Sequence, residues 1–86
     1  MPAQINSTHR LEDMGLFEGN LDLIVTADLD GRSYKFFCSP DGSMQHWHRI
    51  DVMKELLRDW RELSRSDADE VRPALETAIK EHLKKG

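Results

Sequence analysis

The stretch Leu29-Asp30-Gly31-Arg32-Ser33-Tyr34-Lys35-Phe36-Phe37-Cys38-Ser39-Pro40-Asp41-Gly42-Ser43 decides the fold. It carries two Asp-Gly dipeptides on either side of a run rich in aromatic residues. Asp-Gly between apolar or alternating runs is a strong hairpin signal, because a type I′ turn needs positive φ at both central residues. Two such turns predict a three-stranded antiparallel meander over residues 21–28, 33–39 and 43–49.

The turns also set a register. With Asp30 and Gly31 central, Leu29 faces Arg32, Ala27 faces Tyr34, Val25 faces Phe36 and Leu23 faces Cys38. With Asp41 and Gly42 central, Phe36 faces Trp47, Tyr34 faces Arg49 and Cys38 faces Gln45. The strand period of two sends these residues to one face, crossed by an apolar row Val25–Phe36–Trp47. The opposite face then holds Asp22, Ile24, Thr26, Lys35, Phe37, His46 and His48, a mixture of apolar, basic and polar groups.

Outward from the meander, residues 1–6 carry no pattern and read as a loose tail. Ser7-Thr8 suits the cap of a short helix through Met14, with Gly15 left-handed after its end. Leu11 and Met14 share one side of that turn, and Leu16 and Phe17 follow as anchors. On the C-terminal side, Met53, Leu56, Leu57, Trp60 and Leu63 recur at three- and four-residue spacing, which predicts a helix over residues 50–65. Ser66-Asp67-Ala68-Asp69 has the form of a capping sequence before a second apolar stripe, Val71, Leu75, Ala78, Ile79 and Leu83. Pro73 is tolerated only near a helix start, so the regular part of that helix is expected to begin close to Asp69. Glu76 and Lys80 form an acid-before-base pair at four-residue spacing. The expected fold class is α+β: a short N-terminal helix, the three-stranded antiparallel meander, and a C-terminal helical hairpin packed on one sheet face, in a single domain over residues 1–86.

Composition narrows the function classes. Sixteen acidic against twelve basic residues give a formal net charge of −4, which disfavours a dedicated nucleic-acid-binding domain. A local patch can still act against the global sign. One cysteine makes no internal bridge, and the chain opens on no charged-then-apolar stretch and holds no apolar run of membrane-spanning length. A reducing, cytoplasmic setting is the expectation.

His46-Trp47-His48 and Cys38 invite a metal site. In the expected register Cys38 points to the core face and both histidines point away, so the ligands do not converge and no metal is expected. Cys38 lacks a neighbouring base and reads as a small buried hydrophobe. Glu55, Asp59 and Glu62 alternate with Lys54, Arg58 and Arg61 and read as a solvated surface. With no phosphate-binding glycine loop, no Ser-His-Asp arrangement and no paired carboxylates in an apolar setting, neither catalysis nor a cofactor is expected.

The candidate site is the outer sheet face: Ile24, Lys35, Phe37, His46 and His48. Helices on one side leave this apolar pair wet unless residues 1–17, a second copy or a partner cover it. The first reading is a small non-enzymatic protein-interaction module, either self-associating or an adaptor or inhibitor, using this face or a free sheet edge. Histidines beside the apolar pair would then make the contact weaken on acidification. The alternative is a nucleic-acid-binding accessory in which Phe37 stacks a base while Lys35, Arg32 and the histidines meet phosphate.

Overall fold

The computed structural model describes residues 2–15 and 19–85. The elements are β1 (Gln4–Arg10), a 3-10 turn (Glu12–Met14), β2 (Leu23–Leu29), β3 (Arg32–Cys38), β4 (Ile50–Lys54), β5 (Asp59–Glu62) and α1 (Arg65–Lys85). The strands form one antiparallel sheet in the order β1-β2-β3-β4-β5, and α1 packs on one face of it. This α+β arrangement has five strands and one long helix, where a three-stranded meander, a helical hairpin and an N-terminal helix were expected.

The first turn forms as its chemistry dictates. Asp30 and Gly31 have φ of 52° and 79°, both positive, as a type I′ turn requires. Leu23 pairs with Cys38, Val25 with Phe36, Ala27 with Tyr34 and Leu29 with Arg32, the register read from the sequence.

The second turn differs, and Pro40 is the reason. The Gly42 N–H donates to the Ser39 carbonyl at 2.8 Å, and the Ser39 N–H donates to the Ser43 carbonyl at 2.9 Å. Pro40 and Asp41 are therefore the central residues, with Gly42 following at φ 89°. A proline fixed near φ −65° suits the first central position of a type I turn, and glycine suits the position after the second. Asp41 closes the turn by accepting the Ser43 N–H at 2.9 Å, a bond that holds its carboxyl below the usual carboxylate range. The expected third strand over residues 43–49 does not form. Those residues leave the sheet as a loop, and the chain re-enters with Ile50 opposite Phe36, where Trp47 was expected.

The expected helix over residues 50–65 is a β-hairpin. Ile50 and Val52 point into the core while Met53 is half-buried on the other face, a period of two that the helical spacing of the leucines had masked. Ile50 and Val52 cover Phe36 and Tyr34 at the open edge of β3. Leu56 and Leu57, buried in a helical reading, lie at the hairpin tip, where Leu56 is 101% exposed. The N-terminal segment is likewise a strand. Residues 4–6, expected in a tail, open β1, which pairs with β2 through an irregularity between Ile5 and Ser7. Only the end of the expected helix survives, as the 3-10 turn closed by left-handed Gly15 at φ 74°. The expected anchors Leu16 and Phe17 lie outside the described residues.

The helix α1 starts earlier than Asp69. The Ser64 hydroxyl accepts the Asp67 N–H at 3.3 Å and the Ser64 carbonyl accepts the Ala68 N–H at 2.8 Å, which caps the first turn. Pro73 sits inside the helix on an exposed side, so the Asp69 carbonyl it leaves unbonded can face water. Ala68, Leu75 and Ile79 are buried against Val25, Ala27, Tyr34, Phe36, Cys38, Ile50 and Val52, with Val71 and Leu83 at the margin; Ala78 is buried as well. Gly42 lies tight against the helix: a Cβ there would meet Lys80 Cγ at 2.9 Å and Lys80 Cα and N at 3.3 Å.

Two stability predictions follow from this packing. Phe36→Ala should cost about 3–5 kcal/mol in urea unfolding, because it opens the centre of the core. Gly31→Ala, where a Cβ would meet nothing within 4 Å, should cost about 1–2 kcal/mol from φ alone. Gly42→Ala should cost clearly more than Gly31→Ala, since its Cβ must also push α1 away.

Candidate functional site

The pairs Ser7–Thr26, Thr26–Lys35, Lys35–Asp51 and Asp51–Glu62 cross the outer face in one row, flanked by Ile24–Phe37 and Met53–Trp60. The N-terminal strand extends this face rather than covering it, and the Ser7 and Thr26 hydroxyls bond at 2.6 Å. Lys35 Nζ lies 4.8 Å from the centre of the Trp60 ring. Arg49 Nε donates to Asp51 Oδ1 at 2.7 Å and stands 4.0 Å from Glu62 Oε1, so its charge is answered within the protein. The bond to Asp51 makes Arg49 still harder to deprotonate.

Ile24, Lys35, Phe37, Arg49 and Asp51 line a depression of about 350 Å³. A second depression, of about 280 Å³, shares Phe37 and Arg49 and continues to Leu11, Asn20, Asp22, Trp47 and His48. Of the five residues singled out from the sequence, Ile24, Lys35 and Phe37 therefore meet in one place. His46 is exposed on the loop and does not join them. His48, expected on the outer face, is 6% exposed and packed beneath the loop, while Trp47, expected in the core, is 67% exposed.

This exchange follows from how residues 43–49 satisfy their backbone outside the sheet. The Gln45 N–H donates to His48 Nδ1 at 2.8 Å. Nδ1 is therefore an unprotonated acceptor, and the ring proton sits on Nε2, 3.3 Å from Asp22 Oδ2. From α1, Arg72 Nη1 donates to the Gln45 carbonyl at 2.9 Å and to the His48 carbonyl at 3.4 Å. The Met44 N–H donates to Glu76 Oε2 at 2.6 Å, and this bond, helped by Lys80, holds the Glu76 carboxyl below its usual range. Met44 itself drops into the core. With Gln45 and His48 tied down on either side, Trp47 is left on the crest, its ring 5.1 Å from that of His46 and 5.6 Å from that of His48.

Trp47, Arg49, Asp51, Arg72 and Glu76 are the site and support residues that sequence reasoning missed; Asp22 was expected on the outer face, without its bond to His48. The available signal was Pro40: reading Pro-Asp-Gly as a type I turn abandons the strand over 43–49 and with it the burial of Trp47.

Cys38 is fully buried on the core face. Burial pushes its thiol up to about 12, with the negative charges of Asp22 and Asp41 adding to the effect. It is protonated at neutral pH and is a packing group rather than a nucleophile. Among the described residues no three His, Cys, Asp or Glu side chains converge to hold a metal ion. Among them, too, no helix is long and apolar enough to cross a membrane.

No protein-family model, no curated protein and no solved structure matches this chain. The site is therefore read from its own geometry.

The thiol gives an alkaline signature. Its ordinary value is 9.0 and its folded value about 12, so across that interval the unfolded chain releases a proton that the folded chain keeps. Stability from this group is complete below the lower value and falls as pH rises through the interval. The drop in urea midpoint between about pH 8 and about pH 10.5 should be smaller in Cys38→Ala than in the parent chain.

Proposed function

We propose that the chain is a small non-enzymatic protein-interaction module whose contact surface is the outer sheet face around Trp47. The observation that carries this reading is Trp47 itself. It is 67% exposed on a loop whose backbone is fixed by His48, Arg72 and Glu76. A chain that packs for its own stability buries a tryptophan; here the hydrogen bonds hold one in water. Tryptophan is among the residues most enriched at the hot spots of protein contacts. The partner takes Trp47 against an apolar side chain, fills the depression over Ile24 and Phe37, and brings an acidic group to Lys35.

Charge favours a protein over a nucleic acid. Arg49 is committed to Asp51 with Glu62 beside it, so Lys35 is the cation of the patch without a carboxylate within 4.0 Å among the described residues. Lys35 and Arg49 are balanced by Asp51 and Glu62, so the patch offers a phosphate chain no net positive charge. The face is also a better candidate than the sheet edges. The irregularity of β1 and the three charged residues of four-residue β5 both obstruct strand addition. The partner is another protein or a second copy of this chain.

The test separates the surface from the fold. Trp47→Ala should leave the urea midpoint within about 0.5 kcal/mol of the parent, because the side chain is solvent-exposed. The same variant and Phe37→Glu should each abolish self-association in sedimentation, or recovery of one defined, cross-linked partner. Glu70→Lys, on the exposed side of α1, should preserve it. Undiminished association in both outer-face variants would sink the proposal, as would salt-sensitive binding of single-stranded RNA or DNA in preference to protein.

A further inference from the structure

We propose that protonation of His48 opens the 43–49 loop, so that Trp47 is presented at neutral pH and withdrawn on acidification. The loop and the proton compete for the same atom. His48 Nδ1 accepts the Gln45 N–H at 2.8 Å, and its Nε2–H faces Asp22 Oδ2 at 3.3 Å. A second proton can enter the ring only at Nδ1. It would set two N–H groups head to head where one hydrogen bond now lies, and an imidazolium has no acceptor left to offer. The ring is 5% exposed and cannot turn away in place, so the Gln45 amide must move toward the solvent at its exposed residue to find a new partner.

The surrounding charges act on the proton from three directions. Asp22, from the β1–β2 connection, attracts it. Arg72 of α1, at the His48 carbonyl, and Arg49, next in the chain and lining the same depression, repel it. Glu76 of α1 faces the Met44 amide, and the His46 ring meets that of Trp47 edge to face. Histidine is the side chain whose unperturbed charge change falls within the physiological interval. Movement at Gln45 also strains the Arg72 bond to the Gln45 carbonyl, so two of the ties that hold Trp47 on the crest fail together.

The opening is a property of the free protein; its effect on binding rests on the proposed contact surface. Amide exchange, normalised to the intrinsic chemical rate, is followed with imidazole nitrogen shifts from about pH 7.5 to about pH 5. The expected result is an unprotonated Nδ1 at neutral pH. As the ring protonates, protection of the Gln45 amide should fall by at least about tenfold, while amides of the β2–β3 pair stay protected. In His48→Asn the side-chain oxygen can take the Nδ1 position without titrating, so Gln45 protection should become independent of pH. If that variant does not fold, the nitrogen shifts and Gln45 exchange of the parent chain decide the matter. A Gln45 amide that stays protected while His48 is fully protonated overturns the switch. Should the loop open while partner binding stays unchanged, the opening stands and the proposed contact through Trp47 falls. Binding that depends on Trp47 without any opening of the loop leaves the surface and removes the switch.

Discussion

The pairing of Val25 with Phe36 is the contact on which the rest of the molecule depends. It is fixed locally, by a turn in which both central residues take positive φ, and it is buried completely. A one-residue slip would put Val25 and Ala27 on the face opposite Tyr34, Phe36 and Cys38 and split the core in two. With the register held, each further element covers apolar surface that this hairpin exposes. Strand β1 covers the β2 edge, Ile50 and Val52 close the β3 edge, and Leu75 and Ile79 lie over the face between them. The order of construction explains why a chain with a thin core holds one arrangement: each addition has only one exposed apolar surface to meet.

The loop over residues 43–49 obeys a different constraint. Outside the sheet its amides and carbonyls have no ladder to join, and a segment pressed against the core cannot leave them unpaired. The structure supplies side chains instead, one from the loop and two from the helix. Polar groups that look unremarkable in sequence, Arg72 and Glu76 on a solvated helix, do the work that strand partners do elsewhere. Burying His48 is part of the same solution, since a neutral imidazole offers a donor and an acceptor at once.

What the sequence made legible is bounded by these two regimes. The β2–β3 register, the outer-face cluster of Ile24, Lys35 and Phe37, and the helical stripe of Leu75, Ala78 and Ile79 could be read, because each rests on a local turn or an uninterrupted period. Residues 43–49 were misplaced by one difference of turn chemistry: Asp-Gly alone says type I′, whereas Pro-Asp-Gly says type I with glycine following. Residues 50–65 failed for another reason. Met53, Leu56, Leu57, Trp60 and Leu63 satisfy a helical period, and Ile50, Val52 and their neighbours satisfy a strand period. The choice was made by the open β3 edge, a tertiary demand that no local window contains. The histidines were misplaced because their surroundings come from Asp22 and α1, distant in sequence.

The helix thus has a role on both sides of the sheet. Its buried stripe closes the core, while Arg72 and Glu76 hold the loop that shapes the outer surface. Gly42, pressed on the backbone of Lys80, joins the two functions, because the turn that starts the loop seats directly on the helix. A displacement of α1 would reach Trp47 through hydrogen bonds at Met44 and Gln45 before it reached Ile24 or Phe37, which ride on the β2–β3 pair. The candidate surface therefore has two parts of unequal rigidity. One is a floor set by the most firmly registered strands; the other is an aromatic crest whose position depends on a handful of polar contacts. Contacts of that kind can be lost without unfolding the core, so the crest is the part of the surface on which a change of charge can act while the floor stays in place.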